Sequence, residues 1–254
     1  GIRDMGALWP IAEQQALQAR IEAGEVVGPR LVLSGAWVDA SPGSWPGMFL
    51  ADAPDTARSV VAQIASEGWA AVKAYSMLDG PTYLALAQAA GDAGLPLVGH
   101  IPERVALGTA IAAGQDGIEH FGRVTQACST AEAAMIAANA AALRAPEPMP
   151  SLMKAMAGHN KTTFDHWDTA PCARVTRLLA QAGTAVMPSL MVSDFYLGKD
   201  PAPDDPRLLT VPQAVRAQWR EGDWRRQQMS AEMLEQGPRS VALDWRTFKL
   251  AHDT

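Results

Sequence analysis

Over the first 120 residues the apolar positions recur in one order: a short unbroken hydrophobic run, a loop marked by Gly or Pro, then apolar residues at helical spacing closed by Gly. The short apolar runs predict strands and the helix-period segments predict helices, which is βα alternation. Ile11, Leu17 and Ile21 predict a helix over 11–23 that stops at Gly24, and the strand Leu31-Val32-Leu33-Ser34 comes next. Pro54 and Asp55 open a second helix with Val60, Val61 and Ile64 on one face; Gly68 closes it and leads into a strand over 70–75. Pro81 opens a helix to position 93, and a strand over 95–100 comes after Gly94. A short helix over 103–113 and the strand Gly117-Ile118-Glu119-His120 complete the series.

Strand and helix units in this order give parallel strands joined by right-handed crossovers, either in an open doubly wound sheet or in a closed barrel. No G-x-G-x-x-G fingerprint comes after any of the strands, and polar residues stand at strand C-termini one strand after another. The α/β class is therefore expected as a (β/α)8 TIM-type barrel. Beyond His120 the rhythm changes. An Ala-rich helix over 130–143 sits behind Ser129-Thr130-Ala131-Glu132, which reads as a capping box, and Pro146, Pro148 and Pro150 punctuate the stretch beyond it. A helix over 173–182 feeds the strand Ala185-Val186-Met187-Pro188-Ser189-Leu190, after which comes a Pro- and Asp-rich loop and a polar helical stretch with Trp219, Trp224 and Trp245. These are helical insertions after strands six and seven. The strands number about six where such a barrel has eight, so residues 1–254 are expected to form a single but incomplete barrel domain, its first and last strands outside the chain.

Composition narrows the class of partner. A net charge of −6 with Lys and Arg scattered excludes a basic stripe for nucleic acid, and no apolar run approaches the roughly 20 residues of a membrane span. A small-molecule substrate remains, with room for a homo-oligomer; the residues carry no sign of compartment. Cys128 and Cys172 are two buried thiols or one disulfide, and they are read as packing residues.

Lys73 lies inside an apolar strand, an expensive place for an ammonium unless it is paired, modified or catalytic. His100 ends the next strand and His120 the one after, so a barrel brings all three to one rim. Neutral imidazoles suit zinc, and a lysine that has added carbon dioxide becomes a carbamate whose two oxygens can bridge two ions. Each residue alone has a plainer reading: a lysine that snorkels to solvent, or a hydrogen-bonded core histidine. Their order on consecutive strands favours the metal.

The segments Gly1-Ile2-Arg3-Asp4-Met5-Gly6, Ala71-Val72-Lys73-Ala74-Tyr75-Ser76, Val98-Gly99-His100-Ile101-Pro102 and Gly117-Ile118-Glu119-His120 resemble the second, fourth, fifth and sixth strand ends of the amidohydrolase superfamily. The closest likeness is to its imidazolonepropionase-like and prolidase-like branch, and Met187-Pro188-Ser189-Leu190 resembles the seventh strand. The resemblance implies a binuclear zinc centre in which carboxylated Lys73 bridges while His100 and His120 bind one ion, and hydrolysis of an amide or other C–N bond in a small or dipeptide-like substrate. The family's His-x-His pair and its eighth-strand Asp have no counterpart here, and Asp253 is not assigned that role. Where the branch carries a Tyr two residues after the fifth-strand His, this chain has Pro102, which weakens the case for a dipeptide.

Trp37, Asp39 and Trp45, in a long loop after the third strand, and Tyr75 beside Lys73 are candidates for shaping the substrate pocket. His159, His166 and His252 are read as surface or packing residues, Glu119 as pointing to the far side of its strand, and Met149, Met153 and Met156 as a packing stripe. Two rivals remain: a Schiff-base lyase in which Lys73 stays an amine, and a barrel fragment that does not catalyse.

Overall fold

The strands form one curved parallel wall. In the computed structural model, which describes residues 1–6, 9–191, 206–220 and 231–254, β1 (Ile2–Asp4) pairs with β2 (Leu31–Leu33). The chain bends at Ser34–Ala36 and continues as β3 (Trp37–Asp39), which pairs with β5 (Val72–Ala74) on one side and with the short β4 (Phe49–Leu50) on the other. Next come β6 (Leu97–Gly99), β7 (Gly117–Glu119) and β8 (Ala185–Met187). Single backbone bonds, Ala70 N to Leu33 O at 2.8 Å and Asp116 N to Leu97 O at 2.8 Å, join the separately paired groups. Among the described residues β1 and β8 do not pair, so the wall curls without closing.

Trp37 and Val38 therefore belong to a strand and not to the loop expected there, because Lys73 and Ala74 on β5 offer them backbone partners that no local pattern announces. Trp45 does lie in the loop after β3.

The helices cover the outside of the wall as the apolar spacing requires. α2 (Pro54–Glu67) buries Val60, Val61 and Ile64, and ends where Gly68 takes a φ of 80°. α3 (Gly80–Asp92) begins where Asp79 accepts the Thr82 amide at 2.9 Å, and buries Tyr83 and Leu86. α1 (Ile11–Glu22) is packed only lightly: Ile11, Leu17 and Ile21 are half-buried, and Gln14 is its only buried residue. The helix expected over 103–113 is shorter, α4 (Leu107–Ala112), because Pro102 to Val105 turn across the end of the wall.

After β7 come α5 (Gly122–Ala127), α6 (Glu132–Ala142), α7 (Pro148–His166) and α8 (Thr169–Ala182). The capping box expected at Ser129 does not form. Glu132 instead accepts the Leu107 amide at 3.1 Å, and Ser129 Oγ accepts the Ala131 amide, so the pair serves a tertiary contact and a turn. On α7 it is Leu152, His159 and Thr163 that are buried, whereas Met153 is exposed. Cys128 and Cys172, both fully buried, are joined as a disulfide that ties the end of α5 to α8. The Pro- and Asp-rich loop from Asp194, the side chain of Trp219 and all of Trp224 lie outside the described residues. No described helix is long and apolar enough to cross a membrane.

The helix Ala231–His252 lies against α5, α7 and α8. Its Asp244 accepts a hydrogen bond from Thr125 Oγ1 at 2.5 Å, and burial raises its pKa to about 6. A carboxyl raised in the folded state stabilises the fold fully below its unfolded pKa, and that contribution is lost as pH rises to the folded value. Between about pH 4 and 6 ionisation of Asp244 should thus cost up to about 3 kcal/mol. Asp244→Asn, which keeps the acceptor, should be more stable than the parent at pH 8 and equal to it below pH 4 by urea unfolding. Equal stability at both pH values would show that the carboxyl ionises freely.

Candidate metal centre

Three candidate residues share one rim because of register. Trp37 is the backbone partner of Lys73, Lys73 of Val98, and Ala74 of Gly99, so Lys73 and Tyr75 face the interior of the wall at the level of His100. The His100 amide donates a hydrogen bond to Ala74 O at 2.9 Å, and the His120 amide one to Met187 O at 2.9 Å.

Two unusual backbone angles aim the imidazoles. Gly99, just before His100, has a φ of 109°, and a Cβ there would stand 2.4 Å from Ala74 O and 2.8 Å from Lys73 Cγ. His120 itself takes a φ of 66°, which non-glycine residues adopt rarely and mostly at functional positions. That angle breaks the strand alternation, so Glu119 and His120 both turn inward. Glu119 does not point to the far side of its strand: it pairs with Arg3 of β1, although β2, β3, β5 and β6 lie between them in the wall. The ion pair crosses the interior of the curl.

The two imidazole rings lie 5.1 Å apart between centroids, inclined at 73°. Ser76 Oγ bonds His100 Nδ1 at 2.9 Å; with Nδ1 as donor, Nε2 keeps its lone pair for a ligand. Desolvation, with His120 and Lys73 adding repulsion, pushes the His100 pKa down to about 3. Desolvation also lowers that of His120, against the pull of Glu119. Both rings are thus neutral at neutral pH, the form that binds a metal.

Lys73 is 6% exposed, and its Nζ donates to Met5 O, which also accepts from Trp37 Nε1. It lies 5.0 Å from the Trp37 ring centroid and 5.8 Å from that of Tyr75. Desolvation brings its pKa down to about 8, opposed by Glu119 and Asp4. The aromatic side chains form a continuous row. Trp37 stacks on Tyr75 at 5.7 Å, Tyr75 on His100 at 4.2 Å, and Trp45 Nε1 donates to Tyr75 OH at 2.8 Å. Trp45 is the exposed end of the row.

Pattern reading missed several residues that hold this arrangement. Gln115, 1% exposed, donates from Nε2 to Gly99 O at 3.2 Å and Gly117 O at 3.0 Å while its Oε1 accepts from Tyr83 OH, and so clamps the ends of β6 and β7. Ser76, Gly99 and the Arg3–Glu119 pair act in the same way on their neighbours. An isolated Gly before His100 was the one local signal available. His159 is buried, and His166 and His252 are exposed; none of the three joins the rim.

The donor set fits a zinc ion. Two imidazoles on one tetrahedral zinc, with Zn–N of about 2.0–2.1 Å, have ring centroids roughly 5 Å apart. Among the described residues no group of three or more His, Cys, Asp and Glu could hold a metal ion, so a further ligand among them would have to come from another residue type, and Lys73 is the one at hand.

The fold is of the α/β amidohydrolase type. The chain superposes on a bottromycin amidohydrolase with a TM-score of 0.58 at 20% identity, over 94% of this chain and 46% of that one. A Xaa-Pro dipeptidase with bound methionine in the active site gives 0.52 at 16% identity over 99% and 51%, and a further amidohydrolase 0.50 at 17% over 96% and 51%. The chain spans about half the length of these structures. No family model and no curated protein matches the sequence.

Proposed function

We propose that this chain carries part of the active site of a metal-dependent hydrolase acting on an amide or related C–N bond of a small molecule. The reading rests above all on two neutral imidazoles 5.1 Å apart on adjacent strand ends beside a buried lysine. The amidohydrolase-type fold supports it. His100 and His120 would hold one zinc ion, and Lys73, as a carbamate, would bridge to a second. The carbamate forms when the uncharged amine of Lys73 bonds to the carbon of CO2 and releases one proton; burial keeps part of that amine uncharged near neutral pH. When bound, the ions would supply Lewis acidity to the scissile carbonyl and an activated water.

The chain's own residues prepare the place. Ser76 fixes the His100 ring, Gln115 and Gly99 fix its backbone, and Tyr75 closes one face of the imidazole against water. Trp37 and Trp45 would line the approach for the apolar part of a substrate, with Trp45 at its solvent end.

The test is uptake of Co(II) or zinc by the chain in bicarbonate buffer, read by absorbance and metal content, with mass spectrometry of Lys73. Tight uptake lost at least tenfold in His100→Ala and in His120→Ala supports the reading, as does a 44 Da adduct on Lys73. Uptake unchanged in both variants overturns it. A Lys73 that borohydride instead traps on a carbonyl substrate would favour the Schiff-base lyase.

A further inference from the structure

Behind the loops after β3, β5 and β6 lies a separate cavity of about 230 Å3, lined among others by Ser41, Asp52, Met77, Asp79, Thr82 and Arg104. Arg104 is the one cation among these lining residues, and its Nε is buried with no partner among the described residues. Arg104 Nη2 donates to Met77 O, which fixes the guanidinium against the wall; no carboxylate lies within ion-pair distance of it among the described residues.

The charges around the cavity decide what could fill it. Asp79 uses Oδ1 to cap α3 through the Thr82 amide. Asp52, at the rim, accepts from Ser41 N at 2.7 Å and from Ser41 Oγ at 2.6 Å. Asp79 and the more distant Asp39 attract the Arg104 guanidinium, and Arg144 repels it. A bare anion would find Arg104 but face two carboxylates. A bare cation would find the carboxylates but face the guanidinium. A molecule with both charges a few ångströms apart satisfies every group.

We propose that this cavity is a second small-molecule site, distinct from the rim of Lys73, His100 and His120, and that it takes a zwitterion of the free α-amino acid class. The ligand carboxylate meets the Arg104 guanidinium, and its ammonium meets Asp79 and Asp52. The volume admits a small amino acid. The cavity shares its Met77 wall with the segment in which Ser76 orients His100, so an occupant stiffens that segment.

Titration calorimetry of the whole chain with L-alanine tests the assignment, with acetate and methylammonium as half-ligands. Saturable binding of alanine in the millimolar range is expected, at least tenfold tighter than either half-ligand. Arg104→Gln and Asp79→Asn, which keeps the helix cap, should each weaken it at least fivefold with unchanged circular dichroism. His120→Ala should leave it intact, which separates this cavity from the metal rim. Absence of saturable binding overturns the proposal, as does acetate binding as tightly as alanine. So does binding lost in His120→Ala but kept in Arg104→Gln and Asp79→Asn.

Discussion

An alanine at position 99 is expected to cost the protein at least about 3 kcal/mol and to weaken zinc uptake through a displaced His100. At a φ of 109° the backbone sits where side chains are seldom tolerated, and the added Cβ would stand 2.4 Å from the carbonyl oxygen of Ala74. That oxygen cannot retreat freely, because it accepts the amide of His100 itself. Relief of the contact must move either β5, with Lys73, or the His100 backbone. Gly91 supplies the contrast. It lies inside α3 with nothing within 4 Å of its missing Cβ, so Gly91→Ala should raise stability by about 0.5–1 kcal/mol. Urea unfolding of both variants, with metal content measured on each, checks the pair. Parent-like stability in Gly99→Ala would show that the glycine is not needed to place His100.

Loss of the Cys128–Cys172 bond should lower stability by about 4 kcal/mol, since it closes a segment of 44 residues and loop entropy of that length has roughly this value in the unfolded chain. The closed segment holds α6 and α7. A Cys128→Ala/Cys172→Ala double variant, and the parent treated with dithiothreitol, should show the same fall in the unfolding midpoint, with early proteolytic cutting between α6 and α7. Indifference of the parent to dithiothreitol would mean that the thiols stay free in solution. Packing alone, the role given to the two cysteines from the sequence, would predict a fall only in the double variant.

The wall of parallel strands and the helices over it were legible in the residues because their signals are local. Val60, Val61 and Ile64 mark the buried face of α2 whatever surrounds it, and Gly68 ends that helix by its own conformational freedom. Lys73, His100 and His120 were legible for a related reason: in successive strand and helix units, a polar residue at each strand end reaches the same rim.

Features decided by pairing across the chain were not legible. Trp37 became a strand residue only because β5 lay beside it, and Glu132 gave up a capping role because the Leu107 amide was nearer. The same holds for Glu119, which alternation alone would turn outward. One positive φ at His120 and one partner, Arg3, from the far side of the curl turn it in. The sequence by itself thus determined most of the strands and helices and which side chains meet at the rim, since periodicity and turn residues act within a few positions. Only the tertiary structure decided how those side chains are held, because Gln115, Ser76, Gly99 and Arg3 act on partners that become neighbours only when the wall curls.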